Sequence, residues 1–265
     1  METKNEIAEY NSAFDEEIIN IIIITGASSF SAAQQLGNEE LWTAHIKVTA
    51  WKLTDSEEIN CGEYSLVTKA DDDYLRHLQE KTLPNSIISV KVRRKDNEFL
   101  LVEFSDDECK NLLLEKILKE QKKPVLYRDP FLGKFVLDKN LDLFEGKIKW
   151  RNKKIDMTVP KYPEKRLKDA FVTVNTLLKK QIVWDEKLKR FAANKLLKLK
   201  NTSWLNENEP QITLPEFVRR IKTEHIEVYP KGRFEFWFND GDVFGGHAIV
   251  VSGSLEKGPS KATVE

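Results

Sequence analysis

Only two cysteines occur, Cys61 and Cys109, far apart and outside any Cys-x-x-Cys spacing. That excludes a disulfide framework and a zinc site built on thiolates, and makes two free thiols in a reducing compartment the expectation. Long apolar runs are missing as well: the longest, residues 18–24, is interrupted by Asn20 and falls far below the roughly 18 residues that cross a bilayer. The first residues mix charges, with Lys4, Glu6 and Glu9, and lack the basic-then-apolar order of a secretory signal. A cytoplasmic protein without a membrane partner is therefore expected. Neither an internal repeat nor a low-complexity tract is present.

What is present is length and a division of charge. The 265 residues exceed the roughly 100–200 of a typical domain, so two domains are expected. The formal net charge of −1 hides opposed halves: residues 1–122 hold 14 Lys/Arg against 24 Asp/Glu, net −10, while residues 123–265 hold 28 against 19, net +9. Such an asymmetry lets the halves attract each other or turns one of them toward a charged partner. The boundary is expected at Lys122-Lys123-Pro124, charged and then backbone-restricted. This gives an acidic domain over 1–122 and a basic one over 123–265.

The acidic half reads as β-rich. In residues 41–52, Ala44, Ile46, Val48 and Ala50 alternate with His45, Lys47, Thr49 and Trp51, the pattern of a half-buried strand. Strands are expected over 17–24, 64–68, 87–93 and 98–104, with a short helix over 71–80 whose acidic start suits the helix dipole. Three strands, a helix and two strands is the order of an OB-type barrel. A helix from Asp106 to about Gln121, with Leu112, Leu113, Ile117 and Leu118 at helical spacing, closes the domain.

The basic half reads as α+β, an antiparallel meander packed on helices. Short strands are expected over 133–137, 146–150 and 154–159. Pro163 suits a first helical turn, and one apolar stripe runs through Leu167, Ala170, Phe171, Val174, Leu177 and Leu178. A second follows through Trp184, Leu188, Phe191, Ala192, Leu196 and Leu199, as one long helix or two. Thr213 and Glu216 form a capping-box pattern for one more. The last fifth forms a three-stranded meander, with two-residue turns expected at Lys231-Gly232 and Asp240-Gly241. That register puts Tyr229, Phe234 and His247 abreast, beside Glu227, Phe236 and Gly245. Trp237 and Phe244 fall on the other face, so a sheet buried on both sides is expected.

Three groups of residues could carry chemistry. Residues 21–24 running into Thr25-Gly26-Ala27-Ser28-Ser29 superficially look like the opening of a short-chain dehydrogenase, but Phe30 and Ser31 stand where further glycines are required. No tyrosine is followed four residues later by lysine, so a strand running into a Gly/Ser loop is the expected structure. Asp240, Asp242 and His247 are the right types for a metal or general-base set. However, turn chemistry accounts for Asp240-Gly241 without a ligand, and the expected register separates His247 from the tip. Residues 161–200 hold 12 Lys/Arg against 4 Asp/Glu, with Lys179, Lys180, Lys187 and Arg190 on a candidate basic helix face. That face suits nucleic-acid phosphates or, more simply, solvent or an acidic surface.

Several of these residues carry a resemblance. Phe131-Leu132-Gly133-Lys134-Phe135, Leu143-Phe144-Glu145-Gly146, Trp184-Asp185 and residues 234–255 resemble the uncharacterised bacterial family known as domain of unknown function 2262. Leu41-Trp42-Thr43-Ala44-His45 and Trp51-Lys52 resemble the N-terminal domain often fused to it. The resemblance covers almost the whole chain and implies no assigned activity. Members commonly carry tryptophan where this chain has Gly245, and in the expected register that ring faces Phe236. The run from Phe238 to His247 also resembles small bacterial immunity partners of toxins, by analogy of motif.

The expectation that follows is a non-enzymatic protein that binds another protein, without cofactor or metal. Its candidate surface is Trp237, Asp240, Asp242, Phe244 and His247. Nucleic-acid binding through the OB-like domain or the basic helices is the alternative, and a metal-dependent hydrolase a second one.

Overall fold

The computed structural model describes residues 2–34, 40–105, 111–207 and 209–265. Cys109 and the expected helix start at Asp106 lie outside them. The chain divides into two compact units, Met1–Lys123 and Pro124–Glu265.

The first unit comprises α1 (Glu2–Asn11), β1 (Ile18–Ala33), β2 (Trp42–Leu53), β3 (Asn60–Ala70), α2 (Asp72–Lys81), β4 (Ile87–Lys95), β5 (Glu98–Ser105) and α3 (Leu112–Lys122). Its strands close into a barrel in the order β1-β2-β3-β5-β4, the OB-like arrangement that the element order implies. Ala44, Ile46 and Val48 are fully buried, as their alternation requires. The alternation then breaks at Thr49, where the pairing of β2 with β3 shifts register. Trp51 consequently joins the main barrel core, while Ala50 turns to a second cluster under α3 with Ile22, Ile24 and Leu114.

Two expectations are corrected here. The Gly/Ser segment after Ile24 is not a loop: β1 continues through it to Ala33, bent by register shifts at Thr25 and before Phe30. The buried Thr25 hydroxyl holds the bend by donating to Leu83 O at 2.7 Å and accepting from Ser86 N at 2.9 Å. In α3 the core-facing residue is Leu114, with Ile117 and Leu118 partly buried, whereas Leu112 is 84% exposed and Leu113 51%. Asn111 caps the helix by accepting from Leu113 N and Leu114 N, and that start fixes which face turns inward. The helix α1, which the polar N-terminal sequence does not announce, lays Tyr10 and nearby Phe14 over Val67 and Leu100 on the outside of the barrel. Its Glu6 pairs with the buried Lys69 ammonium at 2.9 Å.

The second unit comprises β6 (Leu126–Asp129), β7 (Gly133–Asp138), β8 (Leu143–Trp150), β9 (Lys153–Pro160), α4 (Glu164–Lys179), α5 (Gln181–Ser203), α6 (Leu214–Arg220), β10 (Lys222–Val228), β11 (Arg233–Asn239), β12 (Ile249–Ser254) and β13 (Gly258–Val264). The strands form one eight-stranded sheet in the order β13-β12-β11-β10-β9-β8-β7-β6. Two antiparallel meanders of four strands therefore stand side by side, joined by the parallel pair β9·β10. A parallel pair needs a long crossover, and α4 to α6 supply it. The apolar stripes of α4 and α5 pack with Phe234, Phe236, Phe238, Met157 and Ile226 in a single core. Each of those side chains contributes roughly 1.5–3 kcal/mol on burial. The Thr213–Glu216 capping box is present.

The C-terminal register differs from the expected one. Tyr229 N–H donates to Arg233 O and closes a three-residue loop, 230–232, with Lys231 at φ 62° and Gly232 at φ 72°, and Val228 rather than Tyr229 faces Phe234. A slip of one residue exchanges the faces of a strand. Here it sends Ile226 and Val228 to the helices with the phenylalanines, and Glu227 and Tyr229 to the opposite side. The helices of this unit thus cover one face of the sheet. The return strand also begins later, since Phe238 pairs with Ile249, so residues 240–248 form a loop rather than the end of a hairpin.

Candidate functional site

In the 240–248 loop, Asp240 is buried and its carboxylate accepts from the backbone N–H groups of Asp242 at 3.2 Å, Phe244 at 2.5 Å and Gly246 at 3.1 Å. The loop backbone turns at Gly241, Asp242, Gly245 and Gly246, all at positive φ. Gly241 also lies so close to Arg220 O that a Cβ would stand 2.7 Å from it. This scaffold seats the fully buried Phe244 against Trp204 and Phe217. The exposed His247 ring meets Trp204 edge-on, with Nδ1 3.2 Å from Glu265 O. Asp240, Asp242 and His247 therefore do not converge, and among the described residues no group of three potential ligands is placed to hold a metal ion. Of the five candidate surface residues, Asp240 and Phe244 are interior and Trp237 lies on a different surface from the loop. Gly245 sits in the loop with open space around it, not opposite Phe236.

Trp237 belongs to the uncovered face of the sheet. Register places Lys147, Asp156, His225, Trp237, Val250 and Thr263 in one row across six strands. The adjacent row is Glu145, Thr158, Glu227, Glu235, Ser252 and Lys261. Six strands span roughly 24 Å at their usual spacing. Trp237 is partly buried, and its indole Nε1 has no hydrogen-bond partner. Beside it, the His225 Nε2 lies 2.9 Å from the Thr158 hydroxyl. Burial holds this imidazole below its ordinary pKa, with Asp156 opposing. His225 and Thr158 border a depression of about 340 Å³ with Val136, Glu145 and Lys147.

Glu227 and Glu235 face each other directly across β10 and β11. Burial pushes the Glu227 carboxyl up and Glu235 adds to it, while the Tyr229 phenol works against both. The Tyr229 hydroxyl is in turn pushed well above its ordinary value by burial and then by the two carboxylates. Sequence reasoning missed this group because the slipped register laid Glu227 beside Phe236. A carboxylate set among phenylalanines was itself the available signal of the error.

The opposite, helix-facing side holds a satisfied acid. Asp185 accepts from Trp150 Nε1 and the Thr223 hydroxyl, each at 3.0 Å, and pairs with Lys189 at 2.9 Å. Burial opposes its ionisation, but these partners bring its pKa below the ordinary carboxylate value.

The candidate basic face is divided. Lys179 and Lys180 are exposed at the break between α4 and α5. Farther along, Lys187 rests over the Trp184 ring and Arg190 lies 3.7 Å from Glu186. Lys200 is buried, bonded to Trp204 O and Glu209. On the barrel, Phe30 and Tyr64 pack against the core. The depression of about 460 Å³ beside them is bordered by Ser31, His45, Lys47, Glu63 and Asn97.

A family profile described as "Uncharacterized protein conserved in bacteria (DUF2262)" matches residues 129–264. The chain belongs to this family. A second profile, "Domain of unknown function (DUF7021)", matches residues 6–121. Comparison with curated proteins and with solved structures returns no match. Several residues within the matched span serve the architecture. The Phe135 ring lies on the bare backbone of Gly146, where a Cβ would stand 2.4 Å from it, and Trp184 meets Phe234 edge-on. Among the described residues no helix is long and apolar enough to cross a membrane.

Proposed function

We propose that this DUF2262 protein is a non-enzymatic, cytoplasmic protein-binding factor, and that its recognition surface is the uncovered sheet face centred on Trp237. One observation carries the reading: a helix-free sheet face six strands wide, with the partly exposed Trp237 at its centre and Lys147, Asp156, Glu145, Glu227, Glu235 and Lys261 around it. Protein interfaces have this anatomy, with aromatic anchors in the middle and polar residues around them. The width of the face suits a patch of about 800 Å² per partner. The likeness of the 238–247 run to toxin-immunity partners makes an immunity or defence role the form this reading takes.

A photo-crosslinking residue at position 237, introduced in the native host, tests it. The expected result is a discrete protein adduct that is absent when the same residue replaces Val172, which is exposed on α4. Trp237→Ala should abolish co-purification of that protein while the melting transition persists. Equal adducts from both positions, or none from 237, would overturn the reading.

A further inference from the structure

The rim of the second unit where β8 turns into β9 gathers cations from two separate stretches of chain. The backbone N–H of Arg151, at the hairpin tip, donates to Gln181 Oε1 in the first turn of α5. Trp150 Nε1 reaches Asp185 one turn further on. These two bonds bring Lys149, Arg151, Lys153 and Lys154 beside Lys179 and Lys180. All six are exposed, and among the described residues none is in an ion pair. The charges follow the rim around: Lys149 and Lys154 lie on the uncovered sheet face, Arg151 and Lys153 at the tip, and Lys179 and Lys180 on the helical side.

Two local features of this rim cost stability. Lys149 and Lys154 are direct cross-strand partners, and like charges so placed repel. Arg151 sits at φ 55°, a conformation filled at lower cost by glycine or asparagine. An anion relieves the first and is served by the second, which projects a guanidinium from the tip.

We infer that this rim binds the phosphate backbone of single-stranded nucleic acid. Within the hairpin the cations recur at roughly 5–7 Å, the cross-strand and alternate-residue spacings of a sheet, on the scale of successive phosphates. Their placement on the sheet face, at the hairpin tip and on the helical side suits a flexible strand that can follow all three, which a planar bilayer does not. Binding without base-specific contacts is electrostatic and therefore steeply salt-dependent. Lys149 and Lys154 border the Trp237 face, but the inference does not need Trp237 itself and stands or falls separately.

Fluorescence anisotropy of the full chain with a labelled single-stranded oligothymidylate, at about 50–200 mM salt, tests it. Binding is expected at the low end, with log Kobs falling linearly against log salt. Lys149→Gln with Lys154→Gln, and separately Lys179→Gln with Lys180→Gln, should each weaken binding several-fold and reduce the slope by roughly 0.7 per cation removed. Relief of the like-charge pair predicts that the first double variant melts no lower than the parent, so its loss of affinity is not a loss of fold. Lys261→Gln, on β13, should bind as the parent does. No binding at low salt, full binding by the combined fourfold variant, or tighter binding to phosphatidylglycerol vesicles or to polyglutamate would each overturn the assignment.

Discussion

The two units bury β-structure differently. The first closes its strands into a barrel, so no strand is left at an edge, and α1 and α3 cover parts of its outside. The second leaves its sheet open, with β6 and β13 as edges and the helices of the unit packed on one face. Closure satisfies the backbone within the unit itself. One-sided cover instead leaves a surface whose alternate side chains are free to meet something else, and there Trp237 and the Glu227–Glu235 pair stand. The satisfied acids, Asp240 and Asp185, lie on the covered side or in the loop that closes it. The contrast is between acids held by several partners and a pair of facing carboxylates that repel each other, with the Tyr229 phenol set against that repulsion.

The largest expected effect tests the acids held by several partners. Asp240→Ala strands three backbone N–H groups and unseats Phe244, so urea unfolding should show a loss of about 2–4 kcal/mol. Hydrogen exchange should place that loss in residues 124–265. An unchanged stability would mean that the loop holds itself without the carboxylate. Next, Asp185→Asn should cost about 2 kcal/mol at neutral pH. Because the folded carboxyl titrates below its unfolded value, this contribution is complete above about pH 4 and is lost as pH falls through the lower folded value. The gap between parent and variant should narrow in acid, as followed by melting temperature against pH.

The barrel offers a smaller counterpart. Gln121 at the end of α3 donates to Thr25 O and Asn85 Oδ1 and accepts from the Thr49 hydroxyl. Gln121→Ala should cost about 1–2 kcal/mol and raise exchange in α3. The smallest effect has the opposite sign. Glu227→Gln removes one of two facing carboxylates, so it should stabilise by roughly 0.2–1 kcal/mol at neutral pH. The raised folded pKa of Glu227 means that the parent regains this difference as pH falls, and the variant's advantage should vanish below about pH 4. A destabilised Glu227→Gln variant would show that the Tyr229 hydrogen bond outweighs the repulsion, and would dissolve the contrast between the faces.

Much of the fold was legible along the chain. The element order of the barrel follows from alternation in residues 41–52 and from the acidic start of α2, because side chains two apart must share a face. The stripes of α4 and α5 are equally direct, although the chain pattern does not show that Lys180 breaks them. The functional surface was less so. Trp237 stood out as a residue, yet its neighbours depended on a register set by a three-residue loop containing a lysine at positive φ, a choice that local composition does not announce. The Asp240 loop was misassigned for a related reason: Asp-Gly is compatible with a tight hairpin, and only the buried seat for Phe244 makes the longer loop favourable. The cationic rim was half visible as Lys179 and Lys180, while its other half lies some thirty residues upstream and is joined to it by a side-chain bond.

By itself the sequence determined what periodicity and composition can specify: an acidic OB-like barrel, a basic α+β unit, the helix caps, and membership of a bacterial family of unassigned activity. Tertiary structure alone decided which face of each strand is bare, which carboxylates find partners, and which distant cations become neighbours. The physical reason is that side-chain alternation is a local property, whereas register, loop length and charge proximity are fixed by contacts between segments far apart along the chain.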